Sequence, residues 1–251
     1  MKVARARVNL NTNPVCIDAP SLANAFRTRM NRGLNVTGSF VTSATDGPVG
    51  TDSYFKGVLG VSPNTYFTAP LTLSTANNWS EDTRGFPVKP GETYTFSIYS
   101  RQVNGTSNGT SSSLKINYRN AQGVRAGTTS GPQSPVVYMS PGDGWVRHTA
   151  TFTVPNEPTI AYMSGQWEGY FRNDTPAGTE LHHGAALVEK EPNVLQFFSG
   201  DTPNAVWDGV AKLSTSTIPY FTEATSINVW NGVAWQPAQL KRFNGTEWVD
   251  G

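Results

Sequence analysis

The chain has 251 residues, which is room for one globular domain with extensions rather than two full domains. Only 15% of the residues are charged and the net charge is +1, so composition gives no electrostatic case for a nucleic-acid or anionic-membrane partner. No apolar run approaches the roughly 20 residues that cross a bilayer, and a single cysteine, Cys16, excludes an intramolecular disulfide.

The first residues lack the apolar core of a secretory signal. The composition is nevertheless typical of a surface-displayed protein, with few charges and much Gly, Pro, Ser, Thr and Asn. A protein made in a cytoplasm and released by lysis, such as a virion component, would combine these traits.

Residues 1–16 are predicted to form an extended N-terminal arm. Small or apolar residues at every second position alternate with Arg5, Arg7 and Asn9, until Asn-Pro breaks the run. One short helix is predicted over 21–30, where apolar residues follow the i, i+3, i+4 spacing and Gly33 marks the end.

The segment 17–190 is predicted to be a β-sandwich. In 91–99, Tyr94, Phe96 and Ile98 alternate with polar residues, which places them on one face of a strand. Gly, Pro and Asn turn signals separate the runs. The remaining predicted strands are 34–42, 54–59, 66–67, 71–73, 114–119, 145–154, 160–167 and 181–188. Eight to ten antiparallel strands with almost no helical period indicate an all-β jelly roll.

Three other segments complete the expected organisation. Residues 104–113 contain only Gly, Ser, Thr and Asn, which predicts a loop tip. Residues 191–222 lack sustained period but hold five aromatic residues, so we expect a linker that packs against the protein. Residues 223–251 carry two units in which an aromatic residue and Trp flank Asn-Gly, and this pattern predicts tandem β-hairpins.

Several motifs, in order along the chain, resemble those of minor tail proteins of tailed bacteriophages that infect actinobacteria. The stretch 9–14 reads Asn-Leu-Asn-Thr-Asn-Pro, and 89–99 holds Pro-Gly-Glu-Thr-Tyr-Thr-Phe-Ser. Gly-Trp-Val-Arg followed by Phe-Thr-Val-Pro occupies 143–155. Phe-Phe-Ser-Gly-Asp, Trp-Asp-Gly and Ser-Thr-Ser follow one another in 197–217, and the Trp-Asn-Gly repeats lie in 229–248.

The resemblance implies a jelly roll like that of carbohydrate-binding modules, a place in the virion tail and binding of host cell-surface glycans. Synthesis would then occur in the host bacterial cytoplasm. Such modules often carry an acidic residue that helps to hold a structural Ca²⁺ before a late Gly-Ala pair. Here His183 stands at that position, and Ca²⁺ prefers oxygen ligands. We therefore expect no metal and no other cofactor.

Nothing in the sequence indicates an active site, and we expect no enzyme. His182 and His183 are adjacent, so in a strand they point to opposite faces and cannot easily share one metal ion. We place His183 on the core side. No Gly-x-Ser-x-Gly elbow occurs, and a glycosidase needs two carboxylates facing across a cleft. A cell-wall glycan hydrolase remains the less favoured alternative.

Sugar binding requires flat aromatic faces with hydrogen-bonding groups beside them. The aromatic residues least accounted for by core alternation are Trp79, Tyr99, Trp167 and Tyr170. Polar contacts are expected from Arg101, Asn117 and Arg119 on neighbouring strands. An alternative is that Trp79 and Trp167 close the ends of the sandwich.

The C-terminal aromatics are hard to bury in so small an element. Trp230, Trp235, Phe243 and Trp248 either form a small core or mark an interface with another chain, and we favour the interface. The expected partners are other tail proteins, copies of this chain (a homo-oligomer, taken as a trimer) and a host glycan. The rival hypothesis is a purely structural tail component without a ligand.

Overall fold

The computed structural model describes residues 2–11, 36–61, 65–70, 85–126, 132–209, 211–212, 214–223, 227–230, 235–238, 241–243 and 248–250. The predicted helix over 21–30, the predicted strand 71–73, Cys16 and Trp79 lie outside these ranges. Within these ranges all regular secondary structure is β-strand, as the sequence predicted for the sandwich. No helix long and apolar enough to span a membrane occurs in the described residues.

Seventeen strands are present in the described ranges. They are β1 Lys2–Asn9, β2 Val36–Thr42, β3 Ser53–Leu59, β4 Thr65–Pro70, β5 Phe86–Pro87, β6 Thr93–Gln102, β7 Thr110–Arg119, β8 Val137–Met139, β9 Val146–Thr153, β10 Tyr162–Phe171, β11 Glu180–Glu189, β12 Val206–Trp207, β13 Ser216–Glu223, β14 Ile227–Trp230, β15 Trp235–Ala238, β16 Lys241–Phe243 and β17 Trp248–Asp250.

Two five-stranded antiparallel sheets make the sandwich. The front sheet has the order β4-β10-β7-β8, with β5 also paired to β10. The back sheet has the order β2-β3-β11-β6-β9. This architecture confirms the predicted all-β, antiparallel jelly-roll class.

The hydrophobic core lies between the two sheets. Phe96 and Ile98 of β6 face Leu114 and Ile116 of β7, and all four side chains are buried. The sheets approach closely because Gly165 of β10 has no side chain: a Cβ there would lie 2.4 Å from the Phe96 ring. The period-two alternation that predicted the strands therefore also sorts their side chains into core and surface.

The chain divides into two compact units, one of residues 8–217 and the other of residues 1–7 and 218–251. A three-stranded sheet has the order β1-β13-β12. In the smaller unit, β14 pairs with β15 so that Trp230 lies opposite Trp235, and β16 pairs with β17 so that Phe243 lies opposite Trp248. Both antiparallel pairs fall where the Asn-Gly repeats predicted hairpins.

The end of β1 is fastened by a buried polar side chain. Asn9 is 0% exposed, and its amide donates to the carbonyl oxygens of Ala186 and Phe198, each at 3.1 Å. The Asn9 carbonyl oxygen accepts from the Val188 backbone N–H, also at 3.1 Å. The alternation predicted for the arm is present, but at this end the polar side chain is buried while Val8 is 36% exposed.

The Phe-Phe-Ser-Gly-Asp and Trp-Asp-Gly motifs fold together. A Cβ on Gly200 would lie 2.3 Å from the Trp207 ring, so that glycine makes room for the indole. The Trp207 Nε1–H donates to Asp201 at 3.0 Å, and Asp208 accepts from the Thr217 hydroxyl at 2.9 Å. Phe198 is 1% exposed, which agrees with the packing predicted for this apolar stretch.

Candidate functional site

Two strands of the front sheet present polar side chains on its outer face. On β10, Trp167 and Phe171 point into the core, so Tyr170 points outward. On β7, Leu114 points into the core, and its neighbour Ser113 faces out. The outer face of this sheet is thus set by the alternation that builds the core.

A row of three side chains crosses the outer face. The strand register places Tyr170 of β10 opposite Ser111 of β7, and Ser111 opposite Tyr138 of β8. The two tyrosines therefore stand two strand spacings apart, roughly 10 Å. Tyr138 is 54% exposed, so much of its ring is open to solvent.

An open cleft of about 460 Å³ lies along this row. Its walls combine two tyrosine rings, the hydroxyls of Ser111 and Ser113, an amide and an ion pair. The lining residues are Ser111, Ser112, Ser113, Lys115, Gln133, Val136, Tyr138, Glu168 and Tyr170. Flat rings with adjacent polar groups can stack a ring-shaped ligand and bind its hydroxyls. We call this feature the front cleft.

The charges that line the front cleft balance one another. Lys115 forms a salt bridge with Glu168 across the β7–β10 pair. The Gln133 amide donates to the Ser113 hydroxyl at 2.7 Å, which fixes the amide at the wall. The floor of the cleft is therefore polar but close to neutral.

Arg172 stands beside the cleft, one residue after β10. Its guanidinium carbon is 5.4 Å from the centre of the Tyr138 ring. The Arg172 backbone N–H donates to the Gly109 carbonyl at 3.0 Å, and its Nη1 donates to the Asn108 carbonyl at 3.4 Å. These contacts anchor the residue where β10 ends.

Trp167, predicted to stack on a sugar, is instead a core residue. It is 0% exposed and its ring centre lies 4.6 Å from that of His183. The ring has this space because Gly169 has no side chain: a Cβ there would lie 2.3 Å from the indole. A fully buried ring cannot stack on a ligand, so the prediction for Trp167 is wrong and its alternative role in closing the sandwich fits better.

Tyr99 and Arg101 lie on the outer face of the back sheet, away from Tyr170. The Arg147 guanidinium carbon is 5.6 Å from the Tyr99 ring centre. Arg101 donates two hydrogen bonds to the Asp46 carboxylate, at 2.6 and 2.5 Å. The predicted site residues therefore do not form one site.

Arg101 is committed to contacts within the protein. Its guanidinium carbon lies 4.6 Å from the Trp145 ring centre, and its Nε donates to His182 Nδ1 at 3.2 Å. The pKa of the Asp46 carboxyl is lowered, chiefly by its hydrogen bonds from Arg101. The Trp145 Nε1–H also donates to the Asp46 carbonyl at 3.0 Å. Arg101 thus holds the Asp46 turn on the sheet, which explains it without a ligand.

The other predicted polar partners, Asn117 and Arg119, lie further along β7 than the cleft. Arg119 is 8% exposed and donates to the Gly123 carbonyl at 2.8 Å, closing the following turn. Trp79 lies outside the described residues. The interface role of Trp230, Trp235, Phe243 and Trp248 stays a prediction.

The histidines are distributed as strand geometry predicted. His183 is 3% exposed and stacks on Phe55 with ring centres 5.3 Å apart, so it faces the core. His182 lies on the opposite face, where its Nε2 is 2.9 Å from Glu180. In the described part of the chain no three His, Cys, Asp or Glu side chains group so as to hold a metal ion.

Sequence reasoning missed Tyr138 and the serines of the cleft. Residues 110–113 were predicted as part of a loop, but β7 begins at Thr110. The prediction failed because both faces of this strand are polar here: Ser112 points inward, and its hydroxyl lies 3.0 Å from His148 Nδ1. Without apolar residues on one face, the period-two signal disappears.

No protein-family model matches the chain, and no curated protein matches its sequence. Similar solved structures include the enzymatically active domain of tailspike protein 4 of bacteriophage CBA120, with 13% identity, TM-score 0.42, and coverage of 66% of this chain and 19% of that chain. A family 16 carbohydrate-binding module has 14% identity and a TM-score of 0.38, and the match covers 72% of this chain and 99% of that module. The CBM22-1 xylan-binding domain of Paenibacillus barcinonensis Xyn10C has 9% identity and a TM-score of 0.40. That match covers 68% of this chain and 88% of that domain.

The match to this chain spans only 19% of the length of the tailspike chain. All three similarities are low in identity and in TM-score. They are likenesses of a β-sandwich and assign neither a family nor an activity.

Proposed function

We propose that this protein binds a glycan in the front cleft, and that it does so as a bacteriophage tail component that attaches to the host surface. The observation that carries the binding proposal is the row of Tyr170, Ser111 and Tyr138 across three strands. Two rings roughly 10 Å apart, with hydroxyls between them, suit an extended chain of sugar rings lying across the strands.

The polar lining favours a sugar over an apolar ligand. An apolar molecule would cover the Ser111 hydroxyl and the Lys115–Glu168 pair without replacing their bonds to water. Burial of polar groups without new partners is costly. A glycan offers hydroxyls that donate and accept at each of these positions.

The cleft supports binding without cleavage. Among the described residues that line it, Glu168 is the only carboxylate, and Lys115 pairs with it. Hydrolysis of a glycosidic bond uses two carboxyl groups on opposite sides of the bond. We therefore propose a binding protein, and incubation with the bound glycan should release no shorter products.

The direct test is substitution of the cleft tyrosines, with binding measured by titration calorimetry on the tightest oligosaccharide from a glycan array. We expect Tyr170→Ala and Tyr138→Ala each to weaken binding roughly two- to tenfold, since an aromatic contact contributes about 0.5–1.5 kcal/mol. Tyr170→Phe keeps the ring and should lose much less.

Tyr162→Ala is the matched control, because Tyr162 begins the same strand at the end away from the cleft. It should leave affinity unchanged. Equal affinity of the wild type and both cleft variants would exclude this cleft as the site. A folded protein that binds no glycan at all would favour the structural tail component without a ligand.

The tail role rests on the ordered motifs in the sequence, among them the folded Gly200–Trp207 pair. It is tested by mass spectrometry and antibody labelling of purified particles. The expected result is this chain at the tail tip, cross-linked to copies of itself. Its absence from intact particles would overturn the tail role and leave glycan binding standing.

A further inference from the structure

Arg172 is a cation beside the front cleft that is not part of the Lys115–Glu168 ion pair. It follows Tyr170 by two residues at the end of β10. Lys115 and Glu168 neutralise each other at the other side of the row. In the part of the chain that the structure describes, no carboxylate forms an ion pair with Arg172.

The guanidinium is held in place before any ligand arrives. The Tyr138 ring lies 5.4 Å from its central carbon, and the Asn108 carbonyl accepts from Nη1 at 3.4 Å. That contact occupies one donor, and a guanidinium has five in a planar fork. Because the Arg172 guanidinium already lies against the Tyr138 ring, it loses less rotamer freedom on binding a ligand than a freely moving side chain would.

We propose that Arg172 forms a subsite for an anionic group at the Tyr138 end of the cleft, so that the preferred glycan carries acidic substituents. This inference rests on the proposed glycan binding. The planar fork matches two oxygens of one anionic group, as in a sugar carboxylate or a sugar phosphate. The rest of the cleft, being neutral, would contact the hydroxyls of the neighbouring sugar rings.

The positive charge of Arg172 disfavours a cationic ligand. An amino sugar with a free ammonium group would meet Arg172 with like charge and would find Glu168 already paired. Neutral glycans remain compatible with the two tyrosines. The charge at Arg172 thus selects among glycans that stack equally well.

The experiment uses the full chain and an array of oligosaccharides in matched sets. Each set shares one backbone and differs at C6, which is a hydroxymethyl group, a carboxylate or a phosphorylated hydroxymethyl group. For backbones that bind, we expect the carboxylate or the phosphate member to bind up to roughly fivefold more tightly than the neutral member, a modest effect typical of a partly exposed ion pair. Comparison of the two acidic arms identifies which anion the subsite takes.

Arg172→Gln should abolish the preference for the acidic member and leave the affinity for the neutral member within about twofold. Arg125→Gln, a substitution at an exposed arginine after β7, should change neither. If the wild type binds the neutral and acidic members with equal affinity, the anionic subsite is overturned. The subsite is also overturned if Arg172→Gln weakens the binding of both members equally. Either result leaves the proposed glycan binding intact. Failure to bind any member of any set would overturn the proposed glycan binding and the subsite with it.

Discussion

At the scale of single residues, the face of the strand on which a side chain lies decides what it can do. Trp167 and Tyr170 are three positions apart in β10, yet the first is buried and the second lines the cleft. Gly169 lies between them and leaves room for the Trp167 ring. Trp167 therefore contributes to stability, and Tyr170 is the aromatic residue of this strand that lines the cleft.

Trp167→Ala should destabilise the protein by about 3–5 kcal/mol, because it removes a large buried side chain and leaves a cavity. The free energy of unfolding, measured by urea denaturation, checks this. Tyr138→Ala, at a 54% exposed ring, should cost less than about 1 kcal/mol and serves as the control. A loss of stability equal to that of the control would mean that the indole is not part of the core.

At the scale of elements, β11 contains a bulge whose backbone is strained. The register of β11 against β6 shifts between Gly184 and Leu187. Ala185 has φ of 52°, in the left-handed region where a Cβ costs about 1–2 kcal/mol. The carbonyl of Ala186 accepts a hydrogen bond from Asn9, which ties β1 to the bulge.

Glycine substitution distinguishes the strained position from its neighbour. Ala185→Gly relieves the strain, which offsets the entropy that glycine loses on folding, so stability should stay within about 1 kcal/mol of the wild type. Ala186→Gly has no strain to relieve and should lose about 1 kcal/mol or more. Thermal unfolding of the two variants checks the order, and equal losses would argue against a strained bulge.

Most strands of the sandwich could be predicted from the sequence, because they carry their own alternation. The short strands β5 and β8 and the start of β7 could not, since they carry no such signal. Pairing could not, since β7 lies between β10 and β8 while β6 lies between β11 and β9. These partners are distant in sequence, and no local signal specifies them. Tyr170 could be proposed as a site residue, but its alignment with Ser111 and Tyr138 depends on that pairing.

At the scale of the whole molecule, all three histidines are buried, His148 and His183 between the sheets and His182 on the outer face of the back sheet. The first two have the larger effect. Burial lowers the pKa of His148 to about 4 from its ordinary value of 6.5. Burial, with a smaller contribution from the charge of His182, lowers the pKa of His183 to about 3. Both rings are therefore neutral in the folded protein at neutral pH.

This arrangement predicts a loss of stability in mild acid. Well above pH 6.5 neither the folded nor the unfolded chain binds a proton at these rings, so they give no pH dependence. Between 6.5 and about 4 the unfolded chain binds protons that the folded protein does not. The free energy of unfolding should fall there by up to about 2.7 kcal/mol per pH unit for the pair. Burial also lowers the pKa of His182, which adds to the fall.

Urea denaturation at a series of pH values measures the slope. His148→Gln, which can keep a hydrogen bond to Ser112, should reduce the slope by up to about 1.4 kcal/mol per pH unit, the share of one histidine. The lowered pKa of Glu92, about 2, affects stability only below its ordinary value of 4.5 and so does not enter the upper part of this window. A stability that stays constant from pH 7 to pH 5 would show that the two rings are not buried as neutral groups.

The central claim is that the outer face of the front sheet is a glycan-binding surface. The most direct measurement is a crystal structure of the protein with the tightest oligosaccharide from the array. We predict sugar rings stacked on Tyr170 and Tyr138, with hydroxyls bonded to Ser111 between them. A glycan bound elsewhere, such as on the Arg101 face of the back sheet, would contradict the account.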